Sequence, residues 1–486
     1  MNNYISISKT DNYEYPNDKF FRPGERYPEY IFNEISDVEN HVYDAVRNAL
    51  ILLKMDQEHI GTKEWNPFAS LIHEGDHVLI KPNLVLDQNT NIKGGEKCLY
   101  THPSVVAPVL DYVFKALNGT GSVIIGDAPM QECDFERLIK ESGYDRLITY
   151  YKEKGLKIKL QDFRKQVTVV KRRLSTRSLK DNIPSQVINL GTESEFYGID
   201  QAATNKLRIV MYPSDNLITH HHDNIHEYCV SQYVLDADVI INMPKPKTHK
   251  KAGVTIALKN LVGINAQKDF LPHHSYGSKE EGGDEYKDRN IIQSIRSRLY
   301  DKKYILEDKG YLFKARLIWF GIAVCTTLLK IGGVKYENGS WYGNETISKT
   351  IVDLNKIILY ADKNGKLQET KQRRYFIIAD MIISGEKDGP VAPSPKQVGM
   401  IAAGSNPVYF DKAIASLMGF DVSKIPTLRQ CSQTKSKYKF FDGNTDIYFV
   451  SNDKRLDSKC ALQLRYDESL KFVPATGWKG HIEKDI

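Results

Sequence analysis

The segment ADVIINMPKPKTHKKAGVTIALKNLVGI, residues 237–264, joins an apolar strand pattern at Val239–Met243 to a loop rich in lysine. Short apolar runs alternate with amphipathic, helix-length segments on both sides of it. Strands that alternate with helices in this way form βαβ units. The sequence therefore predicts an α/β fold with a mostly parallel sheet flanked by helices. The other predicted strands are His77–Ile80, Ser122–Gly126, Leu207–Met211, Tyr375–Ala379 and Gly399–Ala402, and the predicted helices are Ser104–Leu117, Phe135–Ser142 and Asp411–Met418.

The remaining segments predict additions to this core. Residues 1–70 hold an aromatic, proline-containing stretch and a helix pattern over Ile35–Met55, which indicate an N-terminal cap. The core covers 71–425, with polar insertions at about 160–206 and 266–345, and the second insertion suits a lid or subdomain. Residues 426–486 predict a small C-terminal appendage with strand-like pieces at Tyr438–Phe441 and Asp446–Val450.

The composition is that of a soluble globular protein. The 486 residues include 67 Lys and Arg against 61 Asp and Glu, and these charges are interspersed, so no nucleic-acid partner is expected. The first residues lack the basic and apolar regions of a signal peptide, which predicts a cytoplasmic protein. The six cysteines lie far apart without a Cys-x-x-Cys pair, so no disulfide scaffold, zinc ribbon or iron–sulfur cluster is expected.

The longest apolar run, Leu317–Leu329, has 13 residues, whereas a membrane-spanning helix needs roughly 20. The run therefore predicts a buried core helix and no transmembrane span. The alternative is a peripheral contact with a membrane surface, because the run is flanked by the basic residues Lys314, Arg316, Lys330 and Lys335.

The lysine-rich loop predicts a binding site for an anionic group. No Asp or Glu occurs between Asp238 and Asp269, although a solvated surface loop would normally mix both signs. Nucleic acid is the less suitable anion, because aromatic residues that stack on bases are missing from the loop. The candidate anion ligands in this loop are Lys245, Lys247, Lys259 and Asn260.

Polar side chains also follow two earlier strands. Lys81 and Asn83 leave the strand at His77–Ile80, and Asp127 leaves the next strand. Ligands of open parallel sheets bind beyond the carboxyl ends of strands, so Lys81 and Asn83 are expected to complete the anion site. Asp127 is a candidate for orienting a catalytic base or holding a metal; turn formation and capping are the alternatives.

Two histidines are candidates for proton transfer. The neighbouring lysines are expected to lower the pKa of His249 and so to favour its neutral, basic form. The dipole of the helix that begins near Ser104 has the same effect on His102. Helix capping by Thr101 or Ser104 is the alternative explanation of that segment.

Four residues are candidate ligands of a divalent metal. His222 and His226 would share one face if their segment is helical, and Asp380 and Asp388 follow the strand at Tyr375–Ala379. Solvated loops without a metal are the alternative in both places.

The chain resembles the bacterial and archaeal family known as domain of unknown function 362 (DUF362), over residues of about 75–425. The resemblance implies an α/β fold and no settled activity. Many relatives add ferredoxin-like cysteine motifs, which this sequence lacks, and relatives occur among genes for surface polysaccharides and natural products, which favours a biosynthetic role. The matching segments are IKPNLV, THPSVVAPVLDYV, GDAP, ADVIINMPKPKTHKKAGVTIALKNLVG, TIVDLNKIILYADKNGKL and the block Asp380–Asp421.

The leading hypothesis is an enzyme, metal-assisted if the metal ligands are real, that acts on an anionic small molecule. Such a substrate is a phosphorylated or nucleotide-linked sugar, or a carboxylate. The alternatives are a non-catalytic scaffold that binds anions or a membrane surface, and a metal-carrying accessory factor.

Overall fold

A ten-stranded sheet forms the centre of the computed structural model, which describes residues 3–16, 21–180, 182–334, 336, 338–440, 443 and 445–485. The strands are β1 (Tyr4–Lys9), β2 (His77–Pro82), β3 (Ser122–Asp127), β4 (Ile158–Asp162), β5 (Gln166–Lys171), β6 (Leu174–Leu179), β7 (Ser185–Asn189), β8 (Leu207–Arg208), β9 (His221–His222), β10 (Ile225–Ser231), β11 (Val239–Met243), β12 (Lys247–His249), β13 (Gly253–Thr255), β14 (His274–Ser275), β15 (Arg374–Asp388), β16 (Ala392–Gly404) and β17 (Tyr448–Ser451). The helices are α1 (His41–Leu52), α2 (Pro103–Leu117), α3 (Phe135–Ser142), α4 (Tyr144–Glu153), α5 (Gln201–Thr204), α6 (Ser214–Ile218), α7 (Gln232–Leu235), α8 (Ala257–Asn260), α9 (Ile291–Asp308), α10 (Leu312–Ile331), α11 (Thr346–Tyr360), α12 (Pro407–Met418) and α13 (Pro426–Gln433).

The predicted α/β fold is confirmed. The central sheet has the order β17-β1-β16-β15-β11-β2-β3-β4, and β12 and β13 join it beside β15. The five strands from β15 to β4 run parallel to one another. β16 is antiparallel to both of its neighbours, and β17 is parallel to β1.

Alternating side chains of the central strands supply two hydrophobic cores, one on each face of the sheet. Val78 and Ile80 of β2 point into the core that α1, α2 and α4 cover, and Leu79 points into the core that α11 and α12 cover. β11 alternates in the same way, with Val239 and Ile241 on the first face. Both faces of the parallel strands are therefore buried, as expected for a sheet between two helix layers.

The segments expected as an N-terminal cap and a C-terminal appendage each contribute a strand to the central sheet. β1 pairs with β16 on one side and with β17 on the other. The first helix is shorter than the expected Ile35–Met55, because the Asn40 side chain accepts a hydrogen bond from the amide of Tyr43 and caps α1.

Two expectations about the segment between β7 and β11 differ from the structure: a central strand at Leu207–Met211, and the helical arrangement under which His222 and His226 would share one face. The Leu207–Met211 segment forms only the two-residue strand β8, which pairs with β14 in a separate small sheet. The segment that holds His222 and His226 is not helical: β9 and β10 pair as an antiparallel hairpin, so these two histidines share no helix face. Of the expected piece Tyr438–Phe441, Phe441 lies outside the described residues and the rest forms no strand.

The expectation of a buried core helix at Leu317–Leu329 is also wrong. The run lies within the 20-residue helix α10, of which only Ala315, Ile322 and Leu329 are buried. α10 packs against α9, and six of its large apolar side chains are exposed. Within the described part of the chain, α10 alone is long and apolar enough to cross a membrane. Lys335 lies outside the described residues.

Candidate functional site

The candidate site lies where the order of the central sheet reverses. The chain runs from β2 through β3 to β4 toward one edge, and then from β11 through β15 toward the other edge. β2 and β11 are neighbours, so a crevice opens beyond their carboxyl ends, where open α/β sheets commonly bind ligands. The Asn260 amide spans this crevice: its Nδ2 donates to the Lys81 carbonyl (3.2 Å) and to Oδ1 of Asn242 (2.7 Å).

A buried ion pair forms the floor of the crevice. Nζ of Lys81 lies 2.8 Å from Oδ1 of Asp127, and both side chains are almost fully buried. The amides of Leu84 and Ala128 donate to the same carboxylate, at 2.6 and 2.8 Å. Three donors therefore hold Asp127 in one orientation.

Gly263 makes this arrangement sterically possible. A Cβ atom at position 263 would lie 1.8 Å from Oδ1 of Asp127 and 3.0 Å from Nζ of Lys81. The carbonyl of Gly263 also accepts a hydrogen bond from the amide of Ala128 (2.8 Å). The backbone at residue 263 thus closes one wall around the ion pair, and only glycine fits there.

Above the ion pair lies a small pocket, here called the lysine pocket, with a volume of about 70 Å³. The pocket has room for at least one small polar group and opens toward the crevice. Its polar lining consists of Asn83, Asp127, Thr255, Lys259, Asn260 and Lys268.

Two ammonium groups of the lysine pocket have no carboxylate partner. Among the described residues, Nζ of Lys259 has neither a hydrogen bond nor an ion pair, and Nζ of Lys268 reaches only the carbonyl of Ala128, at 3.4 Å. Both side chains remain partly exposed where they line the pocket. The nearby carboxylate, Asp127, is already engaged by Lys81, so the pocket has excess positive charge.

The surroundings of Lys259 and Lys268 lower the pKa values of both side chains. Burial, together with the charge of Lys268, lowers the pKa of Lys259 to about 7. Burial lowers the pKa of Lys268 to about 8, against the opposing attraction of Asp127. Near neutral pH, Lys259 is therefore present in both its protonated and its neutral form.

Three polar oxygens of the lysine pocket lack hydrogen-bond partners in the described structure: Oδ1 of Asn83, Oγ1 of Thr255 and Oδ1 of Asn260. The orientation of the Asn260 amide is fixed, because its Nδ2 already donates twice. Buried polar atoms without partners are uncommon in folded proteins and commonly mark a place where a water or ligand binds. Three residues that line the pocket therefore each hold a buried oxygen that could still accept a hydrogen bond.

Lys245, another expected anion ligand, lies in a different cluster. Its Nζ is 2.9 Å from Oδ2 of Asp380, and both side chains are fully buried. The hydroxyl of Tyr15 donates to the same carboxylate at 2.7 Å, as does the amide of His102 at 2.9 Å. Asp380 therefore serves as the counter-ion of Lys245.

The imidazole of His102 has a capping role in the structure. Its Nδ1 accepts from the amide of Ser104 (3.2 Å), so His102 itself is the N-cap of α2, in place of the expected Thr101 or Ser104. Its ring stacks on that of Tyr15, with centroids 3.9 Å apart. Burial and the charge of Lys245 hold its pKa well below the usual range.

Lys247 and His249 both lie on β12, which pairs with β13. Nζ of Lys247 donates to the carbonyl of Leu99 (2.7 Å), and burial lowers the pKa of Lys247 to about 7. Nδ1 of His249 accepts from the amides of Lys251 and Ala252, at 3.0 and 3.1 Å. Burial and Lys259 hold the pKa of His249 well below the usual range, so this neutral imidazole carries its proton on Nε2.

The candidate metal ligands are dispersed. Asp380 pairs with Lys245, Asp388 accepts from the amide of Thr476 (2.9 Å), His226 is buried, and His222 faces Asp223 (3.3 Å). Among the described residues, no group of three or more His, Cys, Asp or Glu side chains is placed to hold a metal ion. Metal binding by these four residues stays a prediction.

The structure thus brings together five of the predicted site residues: Lys81, Asn83, Asp127, Lys259 and Asn260. Thr255 and Lys268 also line the pocket, although the sequence analysis assigned neither of them to the site. Tyr15 carries no local signal at all, since it reaches Asp380 across 365 residues of sequence.

The fold and this site define the class: an α/β protein with a lysine-lined pocket at the switch point of a mostly parallel sheet. The family model described as Domain of unknown function (DUF362) matches residues 78–190 and 194–416. The chain belongs to this family.

One curated relative is a thylakoid-associated protein of Synechocystis sp., which is 26% identical over 194 residues. The aligned region covers 40% of this chain and 40% of the relative, so the chain spans well under half of that protein's length.

Proposed function

We propose that the lysine pocket binds the phosphate or carboxylate group of a small, hydroxylated metabolite. The observation that carries the proposal is the ammonium group of Lys259, which belongs to a residue that lines the lysine pocket and has neither a hydrogen bond nor a counter-ion among the described residues. A charge that is partly removed from water and lacks a partner is unfavourable, and a bound anion would supply the opposite charge.

The charges around the pocket favour an anion over a cation. Lys259 and Lys268 both face the pocket, and Lys81 lies behind Asp127. Among the residues that line the pocket, one carboxylate stands beside two ammonium groups, and that carboxylate is already paired with Lys81. A bound phosphate or carboxylate would restore the balance and would accept charge-assisted hydrogen bonds from Lys259 and Lys268.

The unpaired oxygens favour a ligand that also carries hydroxyl groups. Oδ1 of Asn83 and Oδ1 of Asn260 can only accept hydrogen bonds. The hydroxyls of a sugar or a hydroxy acid supply the matching donors. A phosphorylated sugar or a hydroxylated carboxylate therefore suits the pocket better than a bare inorganic anion, and its remaining atoms would extend into the crevice.

We further infer that the protein is an enzyme in which Lys259 transfers a proton. A general acid or base works best when its pKa lies near the working pH, and that of Lys259 is about 7. His249 suits the role less well, because its Nδ1 lone pair is occupied by two backbone amides. Asp127 and Lys81 hold the pocket wall in place. The biosynthetic role and the cytoplasmic location stay predictions.

A thermal-shift screen of the full chain tests the proposal. A ligand that binds only the folded state raises the unfolding temperature according to its affinity. Inorganic phosphate, sugar phosphates and hydroxy acids are each compared with the neutral parent compound, on wild type, Lys259→Met and the neighbouring control Lys250→Met. Stabilisation of wild type and Lys250→Met by anions, but not of Lys259→Met, supports the proposal; equal responses of all three proteins contradict it.

A further inference from the structure

The outer face of α10 carries a continuous apolar stripe. Six large side chains spaced three or four residues apart form it, and they are between 48% and 79% exposed. This spacing places them on one side of a helix. The three buried residues, Ala315, Ile322 and Leu329, lie on the opposite side, against α9. The stripe consists of Phe313, Leu317, Phe320, Val324, Leu328 and Ile331.

The stripe is surrounded by positive charge. No Asp or Glu occurs between Asp308 and Glu337, and Lys314, Arg316 and Lys330 of α10 are exposed. Their helical positions place them to the sides of the stripe, where basic residues of an interfacial helix meet lipid headgroups.

A second element adds charge beside the helix. The β5–β6 hairpin turns at Lys171, Arg172 and Arg173, all three exposed. The guanidinium of Arg173 lies 5.5 Å from the centre of the Trp319 ring in α10. The hairpin is anchored to α9, where the amide of Ser175 donates to Oε1 of Glu307 (2.9 Å). The basic turn and the apolar stripe therefore form one surface.

From this surface we propose that the protein docks onto an anionic lipid membrane, with α10 lying in the plane of the interface. The stripe enters the boundary between headgroups and acyl chains, and the flanking lysines and arginines bind lipid phosphates. The proposal is independent of the lysine pocket and goes beyond the proposed metabolite-binding function.

Two other arrangements suit the surface less well. If α10 crossed a membrane, α9, which packs against it, would enter the membrane as well. The Lys303–Glu307 ion pair of α9 would then lie in the hydrocarbon, at a high energetic cost. If a second copy of the chain covered the stripe, the basic residues beside the two α10 helices would lie close together. α10 has no acidic residue that could pair with them. Coiled-coil interfaces normally place charges of opposite sign at such positions.

Vesicle flotation of the full chain tests the docking. The vesicles contain either phosphatidylcholine alone or phosphatidylcholine mixed with phosphatidylglycerol. Wild type is expected to float with the anionic vesicles and to be released by added salt. The variant Phe313→Ser/Leu317→Ser/Phe320→Ser should reduce the vesicle-bound fraction at least about tenfold. The variant Lys314→Glu/Lys330→Glu should also lose binding.

The controls keep each outcome decisive. The replaced side chains are exposed, so the variants should unfold at the wild-type temperature, and Val187→Ser, an exposed apolar position on β7, should float like wild type. Failure of wild type to float, or equal flotation of the serine variant, overturns the proposal. Equal binding to neutral vesicles overturns the role of the basic flank. A wild-type dimer that the serine substitutions split, without flotation, assigns the stripe to a second copy instead.

Discussion

Nζ of Lys81 lies 2.8 Å from Oδ1 of Asp127, and the two residues end neighbouring parallel strands of the sheet. The pair neutralises the carboxylate that lines the lysine pocket, and among the described residues Lys259 and Lys268 have no carboxylate partner. The Lys81–Asp127 pair therefore shapes the wall of the pocket. It also leaves the pocket positively charged, which favours a negatively charged ligand.

Replacing Asp127 by Ala should destabilise the protein by about 3–5 kcal/mol, because Lys81 would remain buried without its partner. Urea unfolding monitored by circular dichroism measures the loss. The matched control is Asp467→Ala, which breaks the exposed pair with Arg465 and should cost less than about 1 kcal/mol. Similar losses in the two variants would show that the Lys81–Asp127 pair is not a structural element of the site.

Gly263→Ala should displace the Asp127 carboxylate, since its Cβ would lie 1.8 Å from Oδ1. Residue 263 is not among the glycines with positive φ, so the effect is steric and not a matter of backbone strain. We expect a loss of stability and of anion binding, measured by thermal unfolding with and without phosphate. Gly332→Ala is the control, because the nearest atom to its added Cβ is 3.4 Å away. Unchanged phosphate binding in Gly263→Ala would contradict the assigned geometry.

Lys259→Met should stabilise the free protein while abolishing its response to anions. Methionine keeps most of the side-chain length but removes a largely desolvated charge, and the gain should be about 1 kcal/mol or more. Thermal unfolding in an anion-free buffer measures it. If the variant is less stable than wild type, Lys259 stabilises the folded protein, which would contradict its assignment as a ligand-binding group.

The stability of the free protein should rise as the pH increases from about 7 toward 8.5, below the range in which the thiols of the unfolded chain lose their protons. Burial lowers the pKa values of Lys247 and Lys259 to about 7 and that of Lys268 to about 8, whereas an unfolded lysine keeps its proton up to about pH 10.4. The unfolded chain therefore binds more protons in this window, and the free energy of unfolding increases with pH. Urea titrations across the window should show a smaller increase for Lys259→Met than for Lys250→Met.

Tyr15→Phe should cost about 1–2 kcal/mol, because it removes a hydrogen bond to the buried Asp380 carboxylate. The control Tyr13→Phe changes a residue whose side chain is 39% exposed, and it should leave the urea midpoint unchanged. Equal midpoints for the two variants would exclude Tyr15 from the support of the Lys245–Asp380 pair.

The elements that sequence predicts best are those with complete local signals. Phe135–Ser142 is a helix at the predicted bounds, because Asp134 caps its first turn and Gly143 ends it in a left-handed conformation. β2, β3 and β11 are predicted from continuous apolar runs, which are typical of strands that are buried on both faces of a sheet. The proximity of Lys81, Asn83 and Lys259 is predicted because ligand-binding residues of parallel sheets lie at the carboxyl ends of the strands.

Other features depend on contacts that no local pattern records. The sequence predicts Lys245 as an anion ligand, but Asp380 neutralises it from another strand. The local sequence does not show that His102 is the N-cap of α2, because this role depends on the orientation of its Nδ1 toward the amide of Ser104. The apolar run of α10 resembles a core helix, because hydrophobicity alone does not show whether a partner covers the helix.

Calorimetric titration with sulfate tests the central claim most directly, because sulfate mimics phosphate and keeps its charge from about pH 6 to 9. Wild type and Lys250→Met should bind sulfate at about pH 6, where Lys259 and Lys268 are protonated, and much more weakly at about pH 9. Lys259→Met should lose about 1.5–3 kcal/mol of binding free energy at the lower pH, roughly tenfold or more in Kd. Binding that is independent of pH and equal in Lys259→Met would contradict the claim that this pocket is an anion site.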